Sequence, residues 1–322
     1  MMLVRRRFLL SIAAACLPAF ARNAMAQAYP TRPVRLLVGF PAGGPNDILG
    51  RLIAEWLSAK LGQPFVVENI PGSSGNIATE AVVRAAPDGH KLLLAGPANA
   101  ISGSLGQNLS FNFLRDIAPV GGITREALVL VVHPSVPATS AAQLIAHAKT
   151  TPLKLASTGN GSSPHVTGEL FKQMSGLDLE VVHYAGGGPA LKAIIAGEAQ
   201  LMFEPMSAAI APIKAGSLRA LALTSSARSP ALPDVPIVAD TLAGFEASAT
   251  TGIGAPKDTP TDIIATLNAA INAAFADPAM AARLADTGGV PLPGSPADFG
   301  RLMAAETEKW GKVVRVSLAK PN

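Results

Sequence analysis

Apolar residues along this chain fall into short, nearly unbroken runs that alternate with stretches where they recur every three or four positions. Val34, Leu36, Leu37, Val38 and Phe40 almost fill one run, as in a strand covered on both faces of a parallel sheet. Ile48, Leu49, Leu52, Ile53, Trp56, Leu57 and Leu61 then recur at helical spacing, and Gly62 supplies a stop. Between them runs Phe40-Pro41-Ala42-Gly43-Gly44-Pro45-Asn46-Asp47, a loop with few bulky side chains. Asn46 and Asp47 are good N-cap types, so the first helical turn is expected to aim unpaired N–H groups and its positive dipole end at the glycines. That is an anion site in waiting, although an ordinary capped turn with no ligand has the same sequence.

The alternation continues and predicts an α/β fold. Phe65–Asn69 reads as a strand, Pro71-Gly72-Ser73-Ser74-Gly75-Asn76 as a second glycine loop, and Ile77, Ala81, Val82 and Ala85 as a helix face. After the Pro87-Asp88-Gly89 turn, the strand Lys91–Leu94 leads into a third loop, Gly96–Ala100. Small-residue loops at successive strand ends predict a crevice outside the sheet. Gly121-Gly122 is expected to break the chain before the buried strand Ala127–Val132, with a domain crossing nearby. Beyond it, Ser140 caps a helix, and Ser157–Pro164 repeats the loop-and-helix device after the strand Lys154–Ala156. The strand Leu179–His183 ends in Tyr184-Ala185-Gly186-Gly187-Gly188-Pro189, with Pro189 suited to a helix start. A strand at Gln200–Phe203, a helix at Ser207–Ala215 and a strand at Leu218–Leu223 follow. The proline-rich passage from Ser229 to Gly244 is a loop, Thr250–Gly254 a possible return crossing, and everything past Asp258 reads helical. The expected domains are 27–125 with 250–322, and 126–249.

The first residues alter the picture of charge. Arg5-Arg6-Arg7, the mostly apolar run Phe8–Ala15 and Ala24-Met25-Ala26 describe an export signal, residues 1–26, cleaved near Ala26. The arginines fit a general secretory signal and, less well, a twin-arginine one. The sole cysteine, Cys16, lies inside this segment, in a poor context for lipidation, so the cleaved chain would hold no thiol and no disulfide. The net charge of +4 equals the four arginines of the signal, so the remaining roughly 296 residues are neutral overall. A precursor's basic balance is therefore no argument for nucleic acid or membrane binding.

Reactive constellations are missing. The sequence contains no G-x-S-x-G, H-E-x-x-H, C-x-x-C or G-x-x-x-x-G-K-[ST]. The histidines, His90, His133, His147, His165 and His183, lack metal-ligand spacing, and Ser163 beside His165 has no evident orienting acid. Paired loops that present helix beginnings to a crevice, with no nucleophile between them, suit binding without turnover.

The ordered motifs then carry a resemblance. Tyr29-Pro30-Thr31-Arg32-Pro33, the Phe40–Asp47 loop, Leu61-Gly62-Gln63-Pro64, Val67-Glu68-Asn69, Pro87-Asp88-Gly89, Asn160-Gly161-Ser162-Ser163, Leu201-Met202-Phe203 and Leu232-Pro233-Asp234-Val235-Pro236 resemble the tripartite tricarboxylate transporter receptors, the Bug-type extracytoplasmic solute receptors. The likeness spans essentially the whole chain after the signal. It implies a two-lobed, Venus-flytrap (type II-like) periplasmic-binding-protein fold with two interdomain crossovers, holding a small carboxylate by backbone amides. On that basis Gly43, Gly44, Asn46, Asp47 and Ala98 would approach the ligand from the first domain, and Ser157, Thr158, Ser162, Ser163, Gly186 and Glu204 from the second. The alternative for Asp47 is a structural pairing with Arg51. Implied further are a periplasmic location, a monomer, permease subunits or a sensor as partners, and no catalytic residue, metal or cofactor. A hydrolase on the same scaffold is the rival class. Three places depart from the family pattern: Tyr184-Ala185-Gly186, Glu204-Pro205 and Arg125-Glu126. Arg125 would either reach a second carboxylate, pair with Glu126 or face solvent.

Overall fold

A computed structural model describes residues 29–105 and 108–318, so the export signal and Cys16 lie outside the described residues. The first half begins with β1 (Val34–Val38), α1 (Pro45–Leu61), β2 (Phe65–Asn69), α2 (Asn76–Val83) and β3 (Lys91–Ala95). β1 lies between β2 and β3, parallel to both, as runs buried on both faces require. Gly62 ends α1 in the left-handed conformation at φ 75°, and its N–H donates to the Ser58 carbonyl. The start of α1 departs from expectation. Pro45 takes the first helical position with Gly44 as N-cap, because proline's fixed φ and missing N–H suit that place, and this moves Asn46 and Asp47 inside the helix.

The supposed third loop is also helical. Residues Pro97–Ile101 form α3, where the Asn99 side chain accepts from the Gly96 N–H at 2.8 Å. After α4 (Phe113–Asp116), β4 (Ile117–Val132) runs for 16 residues straight through Gly121-Gly122. The glycines do not break it. They permit close approach: a Cβ on Gly122 would sit 2.8 Å from Leu292 Cβ, and one on Gly121 3.0 Å from Asn268 Nδ2. Irregular register on either side of the pair absorbs the distortion.

The second half adds α5 (Ala141–Ala148), β5 (Lys154–Ser157), α6 (Ser163–Ser175), β6 (Glu180–His183), α7 (Gly187–Ile195), β7 (Leu201–Pro205), α8 (Met206–Lys214) and β8 (Arg219–Leu223). The chain returns through β9 (Ser248–Pro256), α9 (Thr261–Ala276), α10 (Pro278–Asp286), β10 (Gly289–Pro291) and α11 (Pro296–Leu318). β10 was not anticipated, since only three residues pair with β4 and leave no readable period. The sheet order is β2-β1-β3-β9-β4-β7-β5-β6, with β8 and β10 also on β4. One stretch of β4 thus pairs with β9, and the next, Leu128–Val132, with β7 and β8. That shared strand joins the two halves.

Each half has its own apolar centre. In the first, Val34, Leu36, Leu92, Ile253 and Ile271 pack together. In the second, Phe171, Phe203 and Phe245 meet with ring centroids 5.4–6.2 Å apart. Such aromatic pairs add roughly 0.5–1.5 kcal/mol each beyond area burial. The distal part of α11 joins this second centre through Trp310, Val313 and Val314, although the helix begins against the first half. Among the described residues, no single helix is long and apolar enough to cross a membrane.

Candidate functional site

Four helix starts converge on one cleft because the strands before them end at the same edge of each half. Its walls are Phe40, Gly44, Pro45 and Asn46 at the β1–α1 turn, Pro97 and Ala98 opening α3, Thr158, Ser162, Ser163 and Pro164 at the β5–α6 turn, Gly187 opening α7, Pro205 ending β7, and Ala249 on β9. The space, mouth included, is about 490 Å³. None of these residues is charged. The walls are therefore apolar or hydroxyl-bearing, and the polarity comes largely from first-turn N–H groups that lack intrahelical partners.

Of the anticipated ligand residues, Gly44, Asn46, Ala98, Thr158, Ser162 and Ser163 line this space, whereas Gly43, Asp47, Ser157, Gly186 and Glu204 are not among its walls. Asp47, only 4% exposed, is held by its own loop, its own helix and the end of β2. Arg51 grips it in two places, Nη2 to Oδ1 at 2.9 Å and Nε to Oδ2 at 3.0 Å, the Gly43 N–H donates at 2.9 Å and Asn69 Nδ2 at 3.0 Å. Burial pushes this carboxyl up, but the hydrogen bonds from Arg51, Gly43 and Asn69 outweigh it and hold it below its ordinary value. Asn69 Nδ2 also donates to the Phe40 carbonyl at 3.0 Å, so one asparagine joins the strand end to the helix start. Gly43, at φ +80°, is needed for the turn, and its N–H points to Asp47.

The second half shows the same economy. Ser157 is wholly buried; its hydroxyl bonds the Gly159 carbonyl at 3.1 Å and lies 3.1 Å from His183 Nδ1. The Ser162 hydroxyl caps α6 by accepting from the His165 N–H. His165 Nδ1 accepts from the Gly161 N–H at 2.9 Å and its ring meets His183 edge-on at 4.9 Å. Burial, reinforced by His183, lowers its pKa to about 4, which leaves a neutral ring that braces the loop. Gly186, at φ 116°, marks where the halves touch. A Cβ there would lie 2.7 Å from Pro41 Cδ, and one on Gly187 2.9 Å from Pro45 Cδ. Ser74 Oγ, from the first half, donates to the Asn160 carbonyl in the second at 2.5 Å.

Glu204 has the opposite surroundings to Asp47. It is 0% exposed, and neither carboxyl oxygen has a hydrogen-bond partner among the described residues. Desolvation raises its pKa well above the ordinary value, and the neighbouring Glu126 raises it further. Glu126, itself buried, is pushed by desolvation up to about 7, against hydrogen bonding from Ser207, whose N–H donates at 3.1 Å. Arg125 is half-buried, does not line the cleft, and forms no ion pair with Glu126 among the described residues.

The wall residues that sequence reasoning passed over are Phe40, Pro45, Pro97, Pro164, Gly187, Pro205 and Ala249. Pro45, Pro97 and Pro164 carried a readable signal, since proline in the first turn of three helices marks three helix starts. Ala249 carried none, because an alanine in a strand becomes a wall only when the two halves come together. Among the described residues, no three His, Cys, Asp or Glu side chains gather as a metal site.

The likeness to known proteins agrees with this geometry. Residues 49–317 match the model of the tripartite tricarboxylate transporter family receptor. Protein BugT of Bordetella pertussis is 37% identical over 300 residues, 92% of either chain. The structure of Rpa4515 from R. palustris with adipate superposes with a TM-score of 0.87 at 35% identity, over 89% of this chain and 97% of that one. MatC from Rhodopseudomonas palustris with bound malate superposes at 0.83 with 31% identity, over 89% of this chain and 100% of its own.

Proposed function

Because this chain belongs to the tripartite tricarboxylate transporter receptor family, we propose that it is a periplasmic receptor that captures a small carboxylate, with a dicarboxylate of the size of adipate or malate as the leading class. The observation that carries this reading is a cleft walled by helix beginnings from both halves and by no charged side chain. A carboxylate satisfies several N–H groups at once, and each charge-assisted hydrogen bond is worth roughly 1.5–3 kcal/mol. Closing the halves over the anion then removes water from those bonds. Gly44, Asn46 and Ala98 would meet the ligand on one side, and Thr158, Ser162, Ser163 and Gly187 on the other. Gly43, Asp47, Ser157 and Gly186 hold the loops in shape.

In this reading residues 27–125 and 250–322 form one lobe and 126–249 the other, with the end of α11 strapped onto the second. Export with cleavage near Ala26 delivers a monomer to the periplasm, where membrane permease subunits would receive the ligand. Among the described wall residues no nucleophile is paired with a base, and in this reading the ligand leaves unchanged. The test is a thermal-shift panel with adipate, malate and a monocarboxylate such as butyrate, followed by recovery of the acid. Saturable stabilisation of about 2.7 kcal/mol at a hundredfold excess over Kd, with the acid recovered intact, is the expected result. Consumption of the acid would instead reveal an enzyme, and no shift with any of them would remove the receptor reading.

A further inference from the structure

We propose that Glu204, backed by Glu126, is a specificity-determining residue that makes anion capture proton-linked: the buried pair must carry its protons for a carboxylate to sit against Gly187. This rests on the carboxylate-receptor reading and specifies its electrostatics.

The placement is direct. Glu204 is the penultimate residue of β7, next to Pro205, which lines the cleft, and lies close to Gly187 in the opening turn of α7. Where Gly187 lacks a side chain, a Cβ would stand 3.6 Å from Glu204 Oε1 and 2.9 Å from Pro45 Cδ, so one backbone residue separates the acid from the ligand space. Both Glu204 oxygens are buried with no partner among the described residues, and the second acid, Glu126, is hydrogen-bonded by Ser207, whose N–H donates at 3.1 Å. An unpaired buried carboxylate is very costly, whereas a neutral acid is not.

Among the described residues, the neighbourhood supplies no compensating cation. The ionisable groups on elements packed against β7 are Arg125 and Glu126 on β4, Lys154 on β5, and His165, Glu169 and Lys172 on α6, together with Lys192 on α7 and Lys214 on α8. Only Glu126 acts on Glu204, and it has the same sign. Glu169 and Lys172 pair with each other at 3.2 Å, and Lys154 reaches Glu180. An anionic ligand at Gly187 adds a third negative group to this pocket of low dielectric. Ionisation of the pair and occupancy by the ligand then oppose each other, and by linkage binding draws in a proton wherever the empty protein has released one.

The test is calorimetry with adipate and with malate between pH 6 and 9, in buffers of different ionisation enthalpy. Wild-type protein is expected to take up a proton on binding, and Kd should rise by up to about tenfold per pH unit above about pH 7, where Glu126 begins to ionise. Glu204→Gln and Glu126→Gln, neither of which can ionise at the replaced position, should each reduce both the proton uptake and the slope. Binding with pH-independent Kd and no proton uptake in the wild type would overturn the inference while leaving the receptor reading intact, whether or not the variants fold. Absence of binding by either acid at every pH would overturn both.

Discussion

Two buried acids flank the cleft, Asp47 from the first half and Glu204 from the second, and their surroundings are opposite. Asp47 receives Arg51, Asn69 and the Gly43 N–H, so it is an ionised brace that fixes a loop. Glu204 receives no donor among the described residues and has a second acid for a neighbour, so it favours its neutral form. Burial is common to both. What differs is the number of donors aimed at the carboxyl, and that number decides whether a buried acid serves as a structural anion or as a proton store.

The sharpest way to break the comparison is at Gly187, the residue between Glu204 and the ligand space. Gly187→Val should collide with Pro45 and weaken adipate binding at least about a hundredfold, roughly 2.7 kcal/mol, with the fold retained by circular dichroism. Undiminished affinity would detach α7 from the site. Next, Asp47→Ala strands Arg51 and Asn69 and should lower unfolding stability by about 2–3 kcal/mol in urea titration, with a smaller, indirect loss of affinity through the loosened Gly43 turn. A loss of binding at undiminished stability would instead make Asp47 a ligand residue.

The second half should respond in the opposite sense. With the folded pKa of Glu126 about 7 and its ordinary value 4.5, stability is fully present below about pH 4.5 and is lost as pH rises to about 7, a cost near 3 kcal/mol. Glu126→Gln should therefore stabilise the protein at pH 8 by about 1–3 kcal/mol and do little at pH 4.5. For Asp47 the sign reverses, because its lowered pKa confers stability above its unfolded value that disappears as pH falls through the folded one. Maximal stability in the empty protein is thus expected at mildly acidic pH, by thermal melts across pH 3 to 9. The smallest effect should come from Arg125→Ala, within about 0.5 kcal/mol in both stability and adipate binding, as for a partly exposed side chain with no ion pair among the described residues.

Much of this was legible before any coordinates. The β1–α1 unit, the Ser140 cap, the β5–α6 turn and the strand at Leu201 follow from local period and turn chemistry, which involve only near neighbours. The misreadings cluster where distant contacts override those cues. Gly121-Gly122 reads as a breaker, but Leu292 and Asn268 press against a continuous strand there, and Gly96–Ala100 reads as a loop because five helical residues show no period. At the site, the glycine loops were visible, while the division of labour between Gly43, turned inward to Asp47, and Gly44, facing the cleft, was not.

The sequence by itself determined the α/β alternation, the glycine and proline turns that begin helices at strand ends, and the resemblance that points to a carboxylate receptor. These rest on periodicity and backbone preference, which each segment carries alone. Only the tertiary structure decided that Pro41 meets Gly186 and Pro45 meets Gly187 across the cleft, that Asn69 joins Arg51 on Asp47, and that Glu204 is buried beside Glu126 without a donor among the described residues. The charge state of an acid depends on which dipoles and charges surround it in space, and for Glu204 the neighbour that matters, Glu126, lies far away along the chain.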